Sequence, residues 1–340
     1  MSEQVMSPAE SGEHIAKNAK HVTIHKDGIE KCADDIAARV ASKELNLTKM
    51  FIKTDVHPKT ADNAGIDWVF FADTLNFSFW NQDNEPQYLV TWLGTTYTGY
   101  LAMCAAINRT LAQGVPLTDP KYFANISLAK LDEHLKGDNE VSCPLIHNRV
   151  DCLHEVGKVL NEKYECSFSN VLSRCDKSAI TLLNIVLRDF PCFRDQGVFQ
   201  GAVVSFQKRA QILVADLWCL FEGHGRGDLA GIDSLTMFAD YRVPQSLQHY
   251  GVLSYSAELK QLLDENIVME SGDRLEMEVR GCSIHAVEAI TERVRVLLQE
   301  QAVSAVVNSI LVDQFLWGYR RQHVEEMIKF PYHKVRSIFY

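Results

Sequence analysis

The sequence predicts a mainly α-helical protein with one small β-hairpin, built as a single domain over residues 1–340. Apolar residues recur every three or four positions along most of the chain, which is the spacing of one helix face. Only one segment has the β-branched and aromatic composition of strands. No internal repeat, low-complexity tract or long linker divides the chain, and 46% hydrophobic residues suffice for one large core.

The first helix has the clearest start signal. Ser7 is a favourable N-cap, Pro8 occupies the first helical position, and Glu10 stands where a capping box has its acid. The later helices are predicted from apolar stripes. These run through Ile29, Cys32, Ile36 and Val40; Leu101, Cys104 and Leu111; Leu153, Val156 and Leu160; Ile180, Leu183 and Leu187; Phe206, Leu213 and Leu217; Ile284, Val287, Ile290, Val294 and Leu297; and Val303, Val307, Ile310 and Leu311.

Two segments interrupt the helical pattern. Residues 87–100 (QYLVTWLGTTYTGY) are rich in β-branched and aromatic side chains and contain Gly94 in their middle, which predicts a hairpin. Residues 223–233 (GHGRGDLAGID) are glycine-rich but follow a predicted helix rather than a strand, so they lack the context of a phosphate-binding loop. We interpret them as a surface loop.

Charge and composition exclude several functional classes. The net charge of −10 repels a nucleic-acid backbone, whereas a single nucleotide needs only two or three donors for its phosphate. The nine cysteines are scattered and show no paired Cys-x-x-Cys spacing, so neither a disulfide framework, a metal site nor a cofactor is predicted. The polar N-terminus lacks the apolar stretch of a signal peptide, and no run is long enough to span a membrane. We therefore expect a cytoplasmic or nuclear protein.

A first candidate site lies in residues 71–80 (FADTLNFSFW). Asp73 and Asn76 alternate there with Phe77 and two further aromatic residues. Aromatic rings stack on a heteroaromatic base while amide and carboxylate groups meet its edge, so this composition suits a base-binding pocket. A core helix or turn with capping polar residues is the alternative interpretation.

The second candidate is Asp240, in the segment 238–245 (FADYRVPQ). Pro244 constrains the chain just after it, so the carboxylate is expected in a turn that directs it into a cavity. The alternatives are a surface ion pair between Asp240 and Arg242, or a helix-capping aspartate.

The third candidate is Asp313, in the segment 309–319 (SILVDQFLWGY). It is surrounded by apolar residues, and no basic residue lies within four positions. A buried Asp313 therefore needs a distant partner or a ligand with hydrogen-bond donors. Exposure on the solvent side of its helix is the alternative.

Several basic residues are candidates for holding a phosphate, because guanidinium groups grip phosphate oxygens bidentately and lysine adds a point charge. Any one of them taken alone is more often an ordinary solvated charge, and only convergence in space favours a phosphate site. The candidates are Lys208, Arg209, Arg242, His333, Lys334 and Arg336.

Six segments together resemble the queuosine salvage protein family. They are FADTLNFSFW, GYLAMCAAINR from Gly99, VSFQKRAQILVADLW from Val204, TMFADYRVPQ from Thr236, MEVRGCS from Met277 and SILVDQFLW, in an ordered match that extends to the terminal HKVRSIFY. The resemblance implies a monomeric, mostly helical fold similar to helix-hairpin-helix DNA glycosylases. It also implies an enzyme that hydrolyses the N-glycosidic bond of queuosine 5'-monophosphate and releases queuine for reuse in transfer RNA.

The resemblance assigns roles to individual residues. The family's catalytic aspartate falls on Asp240, its base-binding aromatic on Phe238, and the carboxylate that contacts the modified base on Asp313. The other expected base contacts are Asn76, Phe77, Trp317 and His57, and the expected phosphate and ribose contacts are Lys208, Arg209, Tyr241 and Arg242.

This chain departs from the family pattern at two positions. Gly318 stands where relatives have an acidic residue after Leu-Trp, and Thr54 stands where a histidine is expected. Whether the nearby His57 takes the place of that histidine is left open by the sequence.

Two other functions are compatible with such a pocket. One is a non-catalytic binder of a modified nucleotide or transfer RNA. The other is a DNA-repair-type glycosylase, which the net acidity and the lack of a glycine-rich hairpin for gripping a duplex argue against.

Overall fold

Helices dominate the computed structural model, which describes residues 5–46, 54–82 and 84–340. In chain order they are α1 (Pro8–Asn18), α2 (Lys26–Ala41), α3 (Asn63–Thr74), α4 (Gly99–Ala112), α5 (Pro120–Phe123), α6 (Leu128–Leu135), α7 (Ile146–Lys163), α8 (Phe168–Leu172), α9 (Ala179–Asp189), α10 (Lys208–Leu220), α11 (Val243–His249), α12 (Ala257–Asp264), α13 (Arg274–Glu300), α14 (Ser309–Gln322) and α15 (Val324–Met327). The prediction of a mainly helical protein is confirmed.

The strands form small two-stranded sheets. They are β1 (Val22–Ile24), β2 (Leu89–Trp92), β3 (Thr95–Thr98), β4 (Gln196–Phe199), β5 (Ala202–Ser205), β6 (Leu253–Tyr255), β7 (Val268–Met269) and β8 (Lys334–Val335). The predicted hairpin is confirmed as the antiparallel pair β2 and β3, which turns at Leu93 and Gly94. A second hairpin (β4 and β5), the antiparallel pair β1 and β6, and the parallel pair β7 and β8 were not predicted.

Contacts divide the chain into two compact units. Of the described residues, the first contains those within 1–50, 195–211 and 233–336, and the second contains those within 51–194, 212–232 and 337–340. The single domain and the likeness to DNA glycosylases stay predictions.

Helix α13 is the central element of the first unit, because it packs against both α1 and α2. Two glycines allow its close approach to α1. A Cβ atom at Gly281 would stand 2.6 Å from the side chain of Ile15, and one at Gly12 would stand 2.8 Å from Ile284. The long helix is thereby fixed in the core, and it carries charged side chains that support the candidate site described below.

The core of the second unit is built around α3, whose aromatic residues are fully buried. The ring of Phe70 stacks on Phe168 with centroids 4.3 Å apart, and it also contacts Phe190 at 5.3 Å. Phe71 packs against Phe123 at 5.4 Å. Ring packing of this kind gives α3 and the residues that follow it a rigid support.

The sequence predicted the start of α1 correctly and the start of the last long helix, α14, incorrectly. Ser7 and Glu10 form the expected capping box. The stripe from Val303 predicted a helix that the structure begins only at Ser309, because the side chain of Asn308 accepts the backbone N–H of Leu311 and caps the helix there.

Eight of the nine cysteines are buried, as expected for small apolar side chains, and Cys166 is half-buried. Among the described residues, no helix combines the length and the apolar character needed to cross a membrane.

Candidate active site

The turn before α11 holds Asp240 in the first unit. Its Oδ1 accepts the backbone N–H groups of Arg242 and Val243, both at 2.8 Å. The capping interpretation is therefore correct for one oxygen, whereas no ion pair with Arg242 is found in the described part of the chain. Within that part Oδ2 makes no hydrogen bond, and the residue is half-buried.

Asp313 lies on the buried side of α14, with only 4% of the residue exposed, so the solvent-facing alternative is wrong. Its Oδ2 accepts the backbone N–H of Phe238 at 3.1 Å. Oδ1 makes no hydrogen bond to any residue that the structure describes. The contact joins α14 to the turn that carries Asp240, and the ring of Phe238 is 6% exposed beside it.

The two carboxylates have different electrostatic surroundings. Burial raises the pKa of Asp240, while the charge of Lys208 and the backbone N–H groups of Val243 and Arg242 oppose that rise. Burial and the negative charge of Asp240 raise the pKa of Asp313 well above its ordinary range, opposed by one N–H and by Lys208. The pKa of Asp313 is therefore raised further than that of Asp240, and unequal shifts of this kind are typical of paired catalytic carboxyls.

A buried ion cluster supports the turn from α13. The guanidinium of Arg280 contacts Asp195 at 2.5 and 3.0 Å and Glu276 at 3.2 Å, and all three residues are at most 2% exposed. Its Nε donates to the carbonyl of Ala239 at 2.9 Å, directly before Asp240. Arg280 therefore fixes the backbone that aims the candidate catalytic carboxylate.

This cluster was missed from sequence. Glu276 and Arg280 are spaced i,i+4 and so lie on one helix face, which is a recognisable signal. Asp195 is distant in sequence, and nothing in the residue order indicates that it completes the cluster.

Lys208 and Arg209 lie in the first turn of α10 and are both buried, at 6% and 1% exposure. The backbone N–H of Lys208 donates to Asp195 at 3.2 Å. Its ammonium lies within electrostatic range of both Asp240 and Asp313. Lys208 thus serves as a counter-charge to the two carboxylates.

The first unit also contains contacts between aromatic rings and arginine side chains near Asp240 in sequence and on α14. The rings of Tyr241 and Tyr332 lie 5.3 Å apart, and the guanidinium of Arg242 stands 3.9 Å over the ring of Tyr332. Trp317 is half-buried on α14, with the guanidinium of Arg321 5.0 Å over its ring. The structure thus places Phe238, Tyr241, Arg242, Asp313 and Trp317 in the same unit as Asp240.

The second unit contains the other predicted base contacts. Asn76 donates to Asp73 at 3.4 Å, and both are buried. Phe77 is fully buried, and the guanidinium of Arg149 covers its ring at 4.4 Å. Arg149 also donates to the carbonyl of Phe77 at 2.7 Å, so this aromatic residue packs as part of the core.

His57 also lies in the second unit and is held by hydrogen bonds on both ring nitrogens. Thr54 contacts Nδ1, and the hydroxyl of Tyr100 contacts Nε2 at 3.1 Å. Burial and the charge of Lys59 lower the pKa of His57 to about 3, so its imidazole is neutral at physiological pH. Thr54, at the position of the expected histidine, therefore orients His57.

Asp216 is a residue that the sequence-based selection missed. Burial raises the pKa of Tyr100 well above its ordinary range, and the charges of Asp73 and Asp216 raise it further. Like Asp313, Asp216 stands in an apolar run with no basic residue within four positions (ILVADLWCL), so the same criterion applied to α10 identifies it.

No group of three metal-binding side chains (His, Cys, Asp or Glu) occurs among the residues that the structure describes.

A family model and full-length relatives both match this chain, and they name the same family. The family model described as "Queuosine salvage protein" matches residues 56–340. Proteins named "Queuosine 5'-phosphate N-glycosylase/hydrolase" are similar over nearly the whole chain. The Bos taurus protein is 41% identical over 338 residues (99% of both chains), and the Mus musculus protein is 41% identical over 336 residues (98% of this chain and 99% of that one). The Sphaerobacter thermophilus protein is 34% identical over 326 residues (96% and 95%). The chain belongs to the queuosine salvage protein family.

Proposed function

We propose that this protein is an N-glycosyl hydrolase that cleaves queuosine 5'-monophosphate into queuine and ribose 5-phosphate, so that queuine is salvaged into transfer RNA. The names of its full-length relatives support the substrate and the reaction. The observation that carries the proposal is the pair Asp240 and Asp313, each with one oxygen engaged by backbone N–H groups and one oxygen open to a ligand.

Asp240 is the proposed catalytic residue. Hydrolysis of an N-riboside builds positive charge on C1' and O4' as the base departs, and an ionised carboxylate stabilises that charge or orients the attacking water. Water adds its oxygen to C1', the electrons of the glycosidic bond leave with the base, and a proton follows to the base. Lys208 and two N–H groups favour the ionised form of Asp240 that this role needs.

Asp313 and Phe238 are the proposed base-binding residues. The 7-deazaguanine ring has carbon in place of N7, so the usual protonation site of a purine leaving group is absent, and other groups must stabilise the departing base. The open Oδ1 of Asp313 can receive the donors of the guanine-like edge or the secondary ammonium of the side arm. Phe238 can stack on the ring.

We further propose that the protein acts as a monomeric single domain in the cytoplasm or nucleus, on a small nucleotide, without a cofactor and without direct contact to nucleic acid. The net charge of −10 supports the absence of direct contact to nucleic acid. The expected base contacts Asn76, Phe77, Trp317 and His57, and the expected phosphate contacts Lys208, Arg209, Tyr241 and Arg242, remain part of the proposal.

The test is to incubate the purified protein separately with queuosine 5'-monophosphate, queuosine and guanosine 5'-monophosphate and to detect released base by mass spectrometry. We expect fast release of queuine from the first, slower release from the second because remote phosphate binding helps to position the sugar, and none from the third. If all three substrates stay intact beside an active control hydrolase, the proposed function is wrong.

A further inference from the structure

The side chain of Gln245 brings two guanidinium groups together in the first unit. Its Oε1 accepts from Arg242 at 3.1 Å and from Arg320 at 3.2 Å. Its amide nitrogen donates to the carbonyls of Phe330 at 2.6 Å and Met327 at 3.3 Å, which fixes the orientation of the amide. Because Gln245 is 3% exposed, two like charges are held side by side by a buried neutral group.

A third arginine adds to this charge. Arg321 is half-buried, with its guanidinium 5.0 Å over the ring of Trp317. Burial first, and the charges of Arg242 and Arg321 next, lower the pKa of Arg320 to about 10. Burial and the charge of Arg242 likewise lower the pKa of Arg321. The three guanidiniums therefore repel one another.

No carboxylate within the described residues forms a salt bridge with Arg242, Arg320 or Arg321. Other arginines of the same unit are matched, since Arg39 pairs with Asp35, Arg293 with Glu30, Arg274 with Glu278, and Arg280 with Asp195. An arginine has five N–H donors, and Arg242 and Arg320 each use one of theirs on Gln245. Concentrated, half-buried positive charge with unused donors is suited to an anion with several oxygens.

The cluster and the proposed active site share two elements of the first unit, helix α14 and the turn before α11. Arg320 follows Asp313 by two turns of α14, about 10 Å along one helix face. Arg242 follows Asp240 by two residues. We propose that Arg242, Arg320 and Arg321 bind the 5'-phosphate of the nucleotide, with Gln245 holding two of the guanidiniums in place. This inference rests on the proposed function. It adds Arg320 and Arg321 to the expected phosphate contacts, while the charge of Lys208 also acts on Asp240 and Asp313.

The test uses the full-length protein and the variants Arg320→Gln and Arg321→Gln, with Arg320→Lys and Arg321→Lys as charge-conserving versions. The control is Arg293→Gln, which removes the same charge from the half-buried pair with Glu30. Two readouts are measured: binding of ribose 5-phosphate by calorimetry, and the ratio of kcat/KM for queuosine 5'-monophosphate to that for queuosine.

We expect each glutamine variant to bind ribose 5-phosphate roughly 10- to 100-fold more weakly and to lose a similar factor in the kcat/KM ratio, because a charge-assisted contact is removed. The lysine variants should recover part of both, and Arg293→Gln should match the wild type. If the glutamine variants fold and keep the wild-type affinity for ribose 5-phosphate and the wild-type kcat/KM ratio, the proposed phosphate site is wrong. The proposed function would still stand. Binding through these arginines without any base release from queuosine 5'-monophosphate overturns the proposed function instead.

Discussion

Each of the two units contains a pair of aspartates with mainly apolar neighbours in sequence. The two pairs have different surroundings in the structure. In the first unit Asp240 and Asp313 share the charge of Lys208 and accept backbone N–H groups. In the second unit Asp73 and Asp216 lie near the hydroxyl of Tyr100, whose pKa they raise. The first unit therefore places a lysine beside its aspartates, whereas the aspartates of the second unit lie near the neutral phenol of Tyr100.

This difference bears on where catalysis is expected. An ionised carboxylate stabilises a developing cation only where a counter-charge and N–H donors keep it ionised in the free protein. A neutral phenol that contacts a neutral imidazole, as Tyr100 does with His57, supplies hydrogen bonds of fixed direction. The first unit is therefore expected to carry catalysis.

The largest effect is expected from Asp240→Asn. The amide keeps the size of the side chain but removes the charge, so kcat for queuosine 5'-monophosphate should fall roughly 10²- to 10⁴-fold. Calorimetry should show that the nucleotide still binds. Asp264→Asn, at an exposed position on α12, is the matched control and should retain full turnover. Near-normal kcat in the Asp240 variant would remove the distinction between the two regions.

The next effect concerns the support of the site. Arg280→Met should lower the free energy of unfolding by about 3–5 kcal/mol, because it leaves the buried carboxylates of Asp195 and Glu276 without their cation. Denaturant unfolding measures this loss. Arg293→Met, which breaks a half-exposed pair, should cost at most about 1 kcal/mol. Equal costs for the two variants would show that Arg280 is an ordinary ion pair.

Asp313→Asn should make the protein more stable at neutral pH. The folded pKa of Asp313 is raised above its ordinary value of 3.8, so the folded state binds the proton more tightly than the unfolded state. Wild-type stability from this group is therefore fully present below about pH 4 and is lost as the pH rises through the folded pKa. Melting temperatures should differ most at pH 7 and converge toward pH 4. A less stable variant at pH 7 would contradict the raised pKa of Asp313 in the folded protein.

The smallest effect is expected from His57→Gln. Because the pKa of His57 is about 3, the imidazole does not change its charge between pH 5 and 8. The acid limb of kcat/KM should come from Asp240, whose pKa is raised, with activity lost as the carboxylate is protonated. The variant should keep that limb at the same pH, as pH–rate profiles would show. A displaced limb would mean that His57 takes part in proton transfer.

Local signals in the sequence predicted much of the fold. The capping box at Ser7 and the turn at Leu93 and Gly94 depend on neighbouring residues only, so they can be recognised without tertiary information. The start of α14 was misjudged because apolar spacing continued past the cap at Asn308. The pairs between β1 and β6 and between β7 and β8 join residues far apart in sequence, which short-range patterns do not encode.

The candidate site shows the same limit. Asp240 was selected for its turn before Pro244 and Asp313 for its apolar neighbours, but their link through the backbone of Phe238 is a tertiary contact. Arg280 and Asp195 are distant in sequence, so their ion pair is visible only after folding. Phe77 was selected because it is aromatic, and only the tertiary structure shows that the guanidinium of Arg149 covers its ring.

The most direct test is a crystal structure of the Asp240→Asn variant with queuosine 5'-monophosphate bound. We expect C1' of the ribose to lie about 3–3.5 Å from the side chain of residue 240, the distance of a near-attack arrangement. The base should contact Phe238 and Asp313. A nucleotide bound with its anomeric carbon away from residue 240, or with its base in contact with neither residue, would contradict the assignment of catalysis to this turn.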